Sequence, residues 1–182
     1  LDEIRDDDVA PDKVYIQHWI SRNPVICNAL LQLTTGTPNP VYHGGLVQSR
    51  LRYFDADQKR PGLPPNVAAL IDQIEFENHL QESFRLQLVN LSPIHNQSLY
   101  LQTGAFGQHN LRRVETEGDT HTIEGKWLRV SLPPTTSIEM HLTIDRFINQ
   151  PSYDTPIKSR TEGQSTIKVR NPDVDPGSIS FR

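Results

Sequence analysis

The residues best suited to catalysis lie near positions 41–60, where tyrosine, histidine, arginine and aspartate side chains are close together in the chain. From these residues we predict an alternative active-site pocket lined by Tyr42, His43, Arg50, Arg52, Tyr53 and Asp55. In this interpretation the chain is a fragment of a polysaccharide-degrading enzyme, a glycosidase or a lyase. Glycosidic hydrolysis needs two carboxyl groups about 5–9 Å apart. Three carboxylate pairs spaced two residues apart meet that distance trivially on a strand, so a solvated strand face explains them better.

A second set of candidate residues is aromatic. Trp127 and Tyr100 alternate with apolar neighbours along two short runs, so both should project from the polar side of a sheet. An outward Trp127 beside Arg129 exposes apolar surface unless something covers it. The cover is the chain's own tail or helix, another domain or chain, or a stacked sugar ring. We therefore predict Trp127, Tyr100 and Arg129 as binding residues.

The motifs that mark common cofactor and metal sites are missing from the sequence. It has no HExxH, GxSxG, GxGxxG or P-loop pattern, and its single cysteine, Cys27, excludes an internal disulfide framework. Seven histidines are present, and solvated positions in turns are the default interpretation for them. A convergence of His109, His121 and His141 on a metal ion is the less favoured alternative. We predict no cofactor and no metal, and one cysteine leaves the compartment open.

The charge is concentrated at the beginning of the chain. The 182 residues carry 18 basic and 22 acidic groups, for a net charge of −4. Residues 1–13 hold six acids and two bases, and this arm alone accounts for that net charge, so the remaining residues are neutral overall. A neutral body lacks the basic stripe that a nucleic acid requires, and we predict no nucleic-acid partner. The acidic arm is either solvated or meets a basic surface of a partner.

Four segments follow from the distribution of turn residues and apolar runs. We expect an acidic N-terminal arm at 1–13, a helix plus strand segment with a proline-rich connector at 14–66, a β-sandwich at 67–145 and an extended C-terminal arm at 146–182. Asn23-Pro24 begins the predicted core helix and Gly36 ends it. A strand is predicted from Leu46 to Phe54.

The segment 67–145 has the clearest pattern. Short alternating runs separated by turn signals every 8–12 residues are typical of a sandwich or barrel. The runs are 68–76, 84–91, 98–103, 111–115, 120–124, 126–132 and 137–144. We therefore predict a mostly β protein, an immunoglobulin-like antiparallel sandwich of about seven strands with an N-terminal helix and extended terminal arms.

The pattern also resembles a known class of domain. Leu88-Val-Asn-Leu-Ser92, Leu99-Tyr-Leu-Gln-Thr-Gly104, Leu128-Arg-Val-Ser-Leu-Pro-Pro134 and Ser137-Ile-Glu-Met-His-Leu142 look like the C-terminal β-sandwich accessory domain of carbohydrate-active, glycoside-hydrolase-like multidomain proteins. The resemblance implies a domain that braces a catalytic domain or helps to bind polysaccharide, and it carries over no catalytic residue.

The C-terminal arm holds too few apolar residues to form a core of its own. Residues 151–182 include seven apolar or aromatic side chains among 32, so we expect them to pack along the body or along another chain. Thr166–Val169 and Ser178–Phe181 are each predicted to extend a sheet edge. No run of 18 apolar residues predicts a transmembrane segment. Because the chain starts without Met, Leu1 is expected to be a processed, cut or traced start.

Three functions remain open at this point. The leading one is a non-catalytic accessory or assembly subunit that docks onto a larger, carbohydrate-active protein body through residues 1–13 and 151–182. The second is the enzyme fragment described above. The third is a carbohydrate-binding module that takes a glycan on Trp127 and Tyr100.

Overall fold

The structure is a computed structural model, and it describes residues 10, 13, 25–38, 45–157 and 165–169. These residues form one α-helix, a 3-10 turn at Gly45–Gln48 and ten strands in two sheets. The helix is α1 (Val25–Thr35). The strands are β1 (Leu51–Asp55), β2 (Arg60–Pro61), β3 (Val67–Phe76), β4 (Gln81–Asn90), β5 (Gln97–Thr103), β6 (Asn110–Thr116), β7 (Asp119–Gly125), β8 (Trp127–Leu132), β9 (Ser137–Asp145) and β10 (Ser165–Lys168).

Each sheet has five strands. Sheet A has the order β10-β8-β5-β1-β2, and sheet B has the order β3-β4-β9-β6-β7. All neighbours are antiparallel except β10, which runs parallel to β8. Seven of the ten strands lie between Val67 and Asp145, and β1 belongs to the same sheet as β5. The mostly β prediction is confirmed, with a sandwich-like layout.

The core lies between the inner faces of the two sheets. Burial alternates along all ten residues of β4, the period of two that a sheet with one buried face requires. Leucine supplies much of the core, together with valine, isoleucine, two aromatic side chains and one methionine. Among the largest fully buried side chains are Phe84, Leu86, Leu88, Leu99, Leu101, Leu128, Leu132, Met140 and Leu142.

The helix ends where the sequence predicts, but its exposure differs from the prediction. Gly36 has a φ of +63°, and its N–H donates to the carbonyl of Gln32 at 3.0 Å. The prediction of a core helix is wrong for its second half, since Leu30 is 54% exposed and Leu33 is 47% exposed. The two sheets fill the core with their own side chains, and α1 packs on the outside against β3 and β1.

The strand predicted from Leu46 to Phe54 is only partly confirmed. The chain forms the 3-10 turn at Gly45–Gln48 first, and β1 begins at Leu51. The Arg50 amide donates to the Thr35 carbonyl at 2.9 Å, which joins this segment to the end of α1 before β1 enters sheet A.

Part of the C-terminal arm lies on the chain's own body. β10 extends sheet A beyond β8, which confirms the edge strand predicted at Thr166–Val169, and Ile167 enters the core. The other predicted edge strand, Ser178–Phe181, and the arm 1–13 apart from residues 10 and 13 lie outside the described residues. Within the described ranges, no helix has the length and apolar character to cross a membrane.

Candidate functional site

The three predicted binding residues lie together on the outer face of sheet A. Tyr100 is paired in register with Arg129, and Trp127 is paired with Gln102 on the same two strands. Their neighbours Leu99, Leu101, Leu128 and Val130 belong to the core, so the alternation turns Tyr100, Trp127 and Arg129 outward. All three are half-buried. We call Trp127, Tyr100 and Arg129 the aromatic face.

The contacts of the aromatic face limit what it can bind. The Trp127 indole N–H donates to Gln102 Oε1 at 2.9 Å, so its polar group already has a partner. Lys126 Nζ lies 4.7 Å from the Trp127 ring, and the Arg129 guanidinium lies 5.8 Å from the Tyr100 ring. Both cations are within cation–π distance. The arrangement offers stacking surface beside positive charge, which suits a sugar ring or an anionic protein side chain.

The residues predicted for the alternative pocket make separate contacts. Tyr53 is a core residue whose hydroxyl donates to the carbonyl of Thr34, and its burial raises its pKa well above the ordinary value. Arg52 donates to the carbonyl of Ala105 at 3.1 Å. Buried Asp55 accepts from the amides of the turn that follows it, as in an Asx turn. Arg50 has a buried ionic partner, described below. Tyr42 and His43 lie outside the described residues.

Arg50 belongs to a buried ionic cluster that the sequence does not reveal. Its Nη2 lies 3.1 Å from Glu82 Oε2, and Arg146 Nη1 lies 3.8 Å from the same carboxylate oxygen, which is 1% exposed. Arg50 also donates to the carbonyl of Gly36. Burial lowers the pKa of Arg50 from its ordinary value, and the charge of Glu82 opposes that effect. We call Arg50, Glu82 and Arg146 the ionic cluster; it carries one net positive charge.

His109 lies beside the ionic cluster and is buried. Its Nδ1 accepts the N–H of Phe147 at 3.0 Å, an arrangement that requires an unprotonated Nδ1. Burial lowers the pKa of His109 from 6.5 to about 4, and the charges of Arg146 and Arg50 act in the same direction. The default prediction of a solvated turn position is therefore wrong for His109, which is 1% exposed.

Exposed apolar side chains occur beside the ionic cluster and in the turns next to it. They are Phe76, Leu80, Phe147 and Ile148, which are 62%, 57%, 49% and 59% exposed. The Arg146 guanidinium lies 5.9 Å from the Phe76 ring and 5.1 Å from the Phe147 ring, and the Arg146 amide donates to the Leu80 carbonyl at 2.6 Å. We call these four residues the end patch. The end patch was not predicted from the sequence. Large apolar residues within a turn-forming segment such as 76–80 do, however, indicate exposed apolar surface.

Two of the histidines considered for a metal site line an open groove instead. The groove has a volume of about 790 Å³, and His121 and His141 lie in it with four carboxylates and an apolar floor. No group of three or more histidine, cysteine, aspartate or glutamate side chains in the described part of the chain has the geometry to hold a metal ion.

Comparisons of the chain with models of protein families, with curated proteins and with solved structures gave no match.

Proposed function

We propose that this chain is a non-catalytic accessory or assembly module that docks onto a larger protein body. The observation that supports this function best is the end patch, where four large apolar side chains are exposed and the rings of Phe76 and Phe147 lie beside Arg146. Contiguous exposed apolar surface on a folded domain commonly marks a site of protein association.

Contacts with buried residues also hold two of the rings of the end patch in place. The Phe76 ring lies 5.6 Å from the guanidinium of Arg50, which Glu82 fixes in turn. Phe147 has a φ of +55°, a conformation that non-glycine residues rarely adopt, and the His109 ring accepts its N–H. Side chains that are already fixed lose less entropy on binding, and anchored aromatic residues commonly dominate binding energy. The end patch should therefore lose little conformational entropy when it binds a partner.

The resemblance of residues 84–144 to accessory sandwiches suggests which body this is. We propose a carbohydrate-active enzyme, with an immunoglobulin-like strand arrangement as part of the same expectation. In this proposal the arm 1–13 and the parts of 151–182 other than β10 add contacts to the same body, since β10 already pairs with the chain's own β8.

The test is recovery of the partner from the native source by chemical cross-linking with a tagged full-length chain. The variant Phe76→Ser with Leu80→Ser should lose a stoichiometric partner that the parent chain retains. The matched control is Leu91→Ser with Ile94→Ser, two apolar residues that are equally exposed elsewhere. Thermal unfolding confirms that both variants fold. Retention of the partner by both variants, or loss from both, would contradict the docking role of the end patch.

A carbohydrate-binding module is the second candidate, and the aromatic face favours it because its three residues share one surface. Titration with a glycan panel should then show binding that Trp127→Ala and Tyr100→Ala both abolish, while the partner is still recovered. Phe76→Ala is the control, since Phe76 is an exposed aromatic side chain on sheet B. Binding that survives both substitutions excludes the aromatic face as the sugar site. Among the described residues, no shared contact favours the enzyme fragment.

A further inference from the structure

We propose that the groove beside the first half of β9 binds an extended basic segment of another protein, which adds to sheet B as a strand. This inference does not rest on the docking role of the end patch. The groove lies near Ser137, where β9 begins, whereas the end patch lies near Arg146, just after β9 ends.

The groove exists because β6 is shorter than β9. The two strands pair from Asn110 with Asp145 to Glu115 with His141, and β6 then turns at Glu117-Gly118 into β7. Residues Ser137–Met140 continue past that point. In the described strands they pair with β4 alone, so one edge of β9 is open over four residues. Four residues of strand span about 13 Å, enough for a short extended peptide.

The main-chain groups at this edge face the open side. The Asn90 amide donates to the Thr136 carbonyl at 2.8 Å, which fixes the alternation of hydrogen-bonding pairs between β4 and β9. Ile138 therefore directs its N–H and C=O groups toward β4, while Ser137 and Glu139 direct theirs away from it. Free N–H and C=O groups in a row are what an incoming strand pairs with.

The side chains around the groove indicate the chemistry of that strand. Ile138, Ile167 and Val169 form an apolar floor, and carboxylates stand on the rim. Two of these carboxylates are already paired, Glu115 with Arg113 at 3.1 Å and Glu139 with Arg85 at 3.7 Å.

Among the other charged residues of the groove, carboxylates outnumber lysine. Glu117 and Asp119 are acidic, Lys168 is the one lysine or arginine among the described lining residues, and the other basic side chains there are His121 and His141. The excess negative charge over an apolar floor fits a segment in which apolar residues alternate with lysine or arginine.

The chain's own residues 170–182 are the competing occupant because they follow Val169, which lines the groove. Their sequence contains two arginines and two aspartates, so they bring no net positive charge. They also contain two prolines, which have no N–H to donate to a strand edge. Charge and hydrogen-bonding capacity both favour a basic segment from a partner.

The test uses the full chain and an acetylated, amidated six-residue peptide of alternating lysine and valine. We expect saturable binding by calorimetry, with NMR shift changes centred on the amides of Ser137 and Glu139. The same peptide with glutamate in place of lysine should bind at least about ten-fold more weakly, because like charges then meet at the rim. N-methylation of the peptide at alternate residues should abolish binding, since it removes the strand hydrogen bonds.

Matched variants separate the groove from general charge effects. Glu117→Gln with Asp119→Asn should weaken binding of the lysine–valine peptide several-fold, whereas Glu75→Gln at the end of β3 with Glu77→Gln in the following turn should leave it unchanged. Absence of saturable binding, equal binding of the glutamate peptide, or equal effects of the two variants would overturn the proposal. Tighter binding of a peptide with the sequence of residues 170–182 would overturn it as well, because the groove would then belong to the chain's own segment.

Discussion

At the scale of single residues, Glu82 is the counter-charge of the buried Arg50 and of the partly buried Arg146. It lies within 4 Å of both Arg50 and Arg146, and nothing else among the described ion pairs neutralises either of them. Removing one partner of a buried ionic group leaves uncompensated charge, which typically costs about 3–5 kcal/mol. The carboxylate is therefore expected to matter more for stability than any exposed acid.

The substitution Glu82→Gln should lower the free energy of unfolding by about 3 kcal/mol, because the buried Arg50 and the partly buried Arg146 then lose their counter-charge. Urea unfolding measures the change. Glu139→Gln is the control, since Glu139 is half exposed and pairs with Arg85 on the outer face of sheet B. A loss no larger than that of the control would mean that the guanidinium groups reach water.

Because His109 is buried, we expect the stability of the protein to depend on pH. The His109 pKa of about 4 in the folded chain lies below the ordinary 6.5, so the unfolded chain binds more protons between these values. The free energy of unfolding should then fall as the pH is lowered from 6.5 toward 4, by up to roughly 3 kcal/mol. In His109→Gln this part of the pH dependence should disappear, as urea unfolding at several pH values will show. Parallel pH profiles for the variant and the parent chain would contradict a buried neutral imidazole.

The sequence does not reveal these residues because their burial depends on distant pairing. Arg50 and Glu82 are 32 positions apart, and Arg146 is a further 64 positions away. Within its own segment of sequence, each of these charged residues has the pattern of a side chain that faces solvent. The positions of Trp127 and Tyr100, by contrast, follow from local alternation, which is why their outward direction was predictable and the ionic cluster was not.

At the scale of elements, the strands with clear alternation were predicted within a few residues of their observed ends. The runs 126–132 and 137–144 correspond to β8 and β9. Alternation is a property of the local sequence, so it can be recognised without knowing the fold. The order of strands within each sheet is not local, and neither is the 3-10 turn before β1, which depends on the contact between Arg50 and Thr35.

Substitutions in the edge strand β10 measure how much the C-terminal arm contributes to the stability of the sandwich. Ile167 is 5% exposed and packs in the core, while the neighbouring Lys168 is exposed. Ile167→Ala should therefore lower the free energy of unfolding by about 2 kcal/mol or more, whereas Lys168→Ala should change it by less than about 0.5 kcal/mol. Chemical denaturation gives both values. Equal effects would mean that β10 does not pack on the body in solution.

At the scale of the whole molecule, β9 connects two surfaces of different character. Its end lies beside the end patch, where two aromatic rings lie next to the Arg146 guanidinium, and its beginning borders the groove with its carboxylates. His141, the groove residue nearest the end of β9, lies five residues before Arg146, a separation of about 17 Å at roughly 3.4 Å a residue. Rigid strands between the two surfaces allow both to be occupied together, so a body held at one end leaves the other accessible.

Substitutions at the two surfaces should therefore act independently. Phe76→Ser with Leu80→Ser should prevent recovery of the large partner and leave the affinity for the lysine–valine peptide unchanged. Glu117→Gln with Asp119→Asn should do the reverse, and the combined variant should show both losses at the size of each alone, because sites farther apart than about 10 Å usually act additively. Calorimetry on each variant, with and without the partner, measures this. A loss of peptide affinity in the Phe76 and Leu80 variant would mean that β9 couples the two ends, which sites held apart on a rigid sheet do not do.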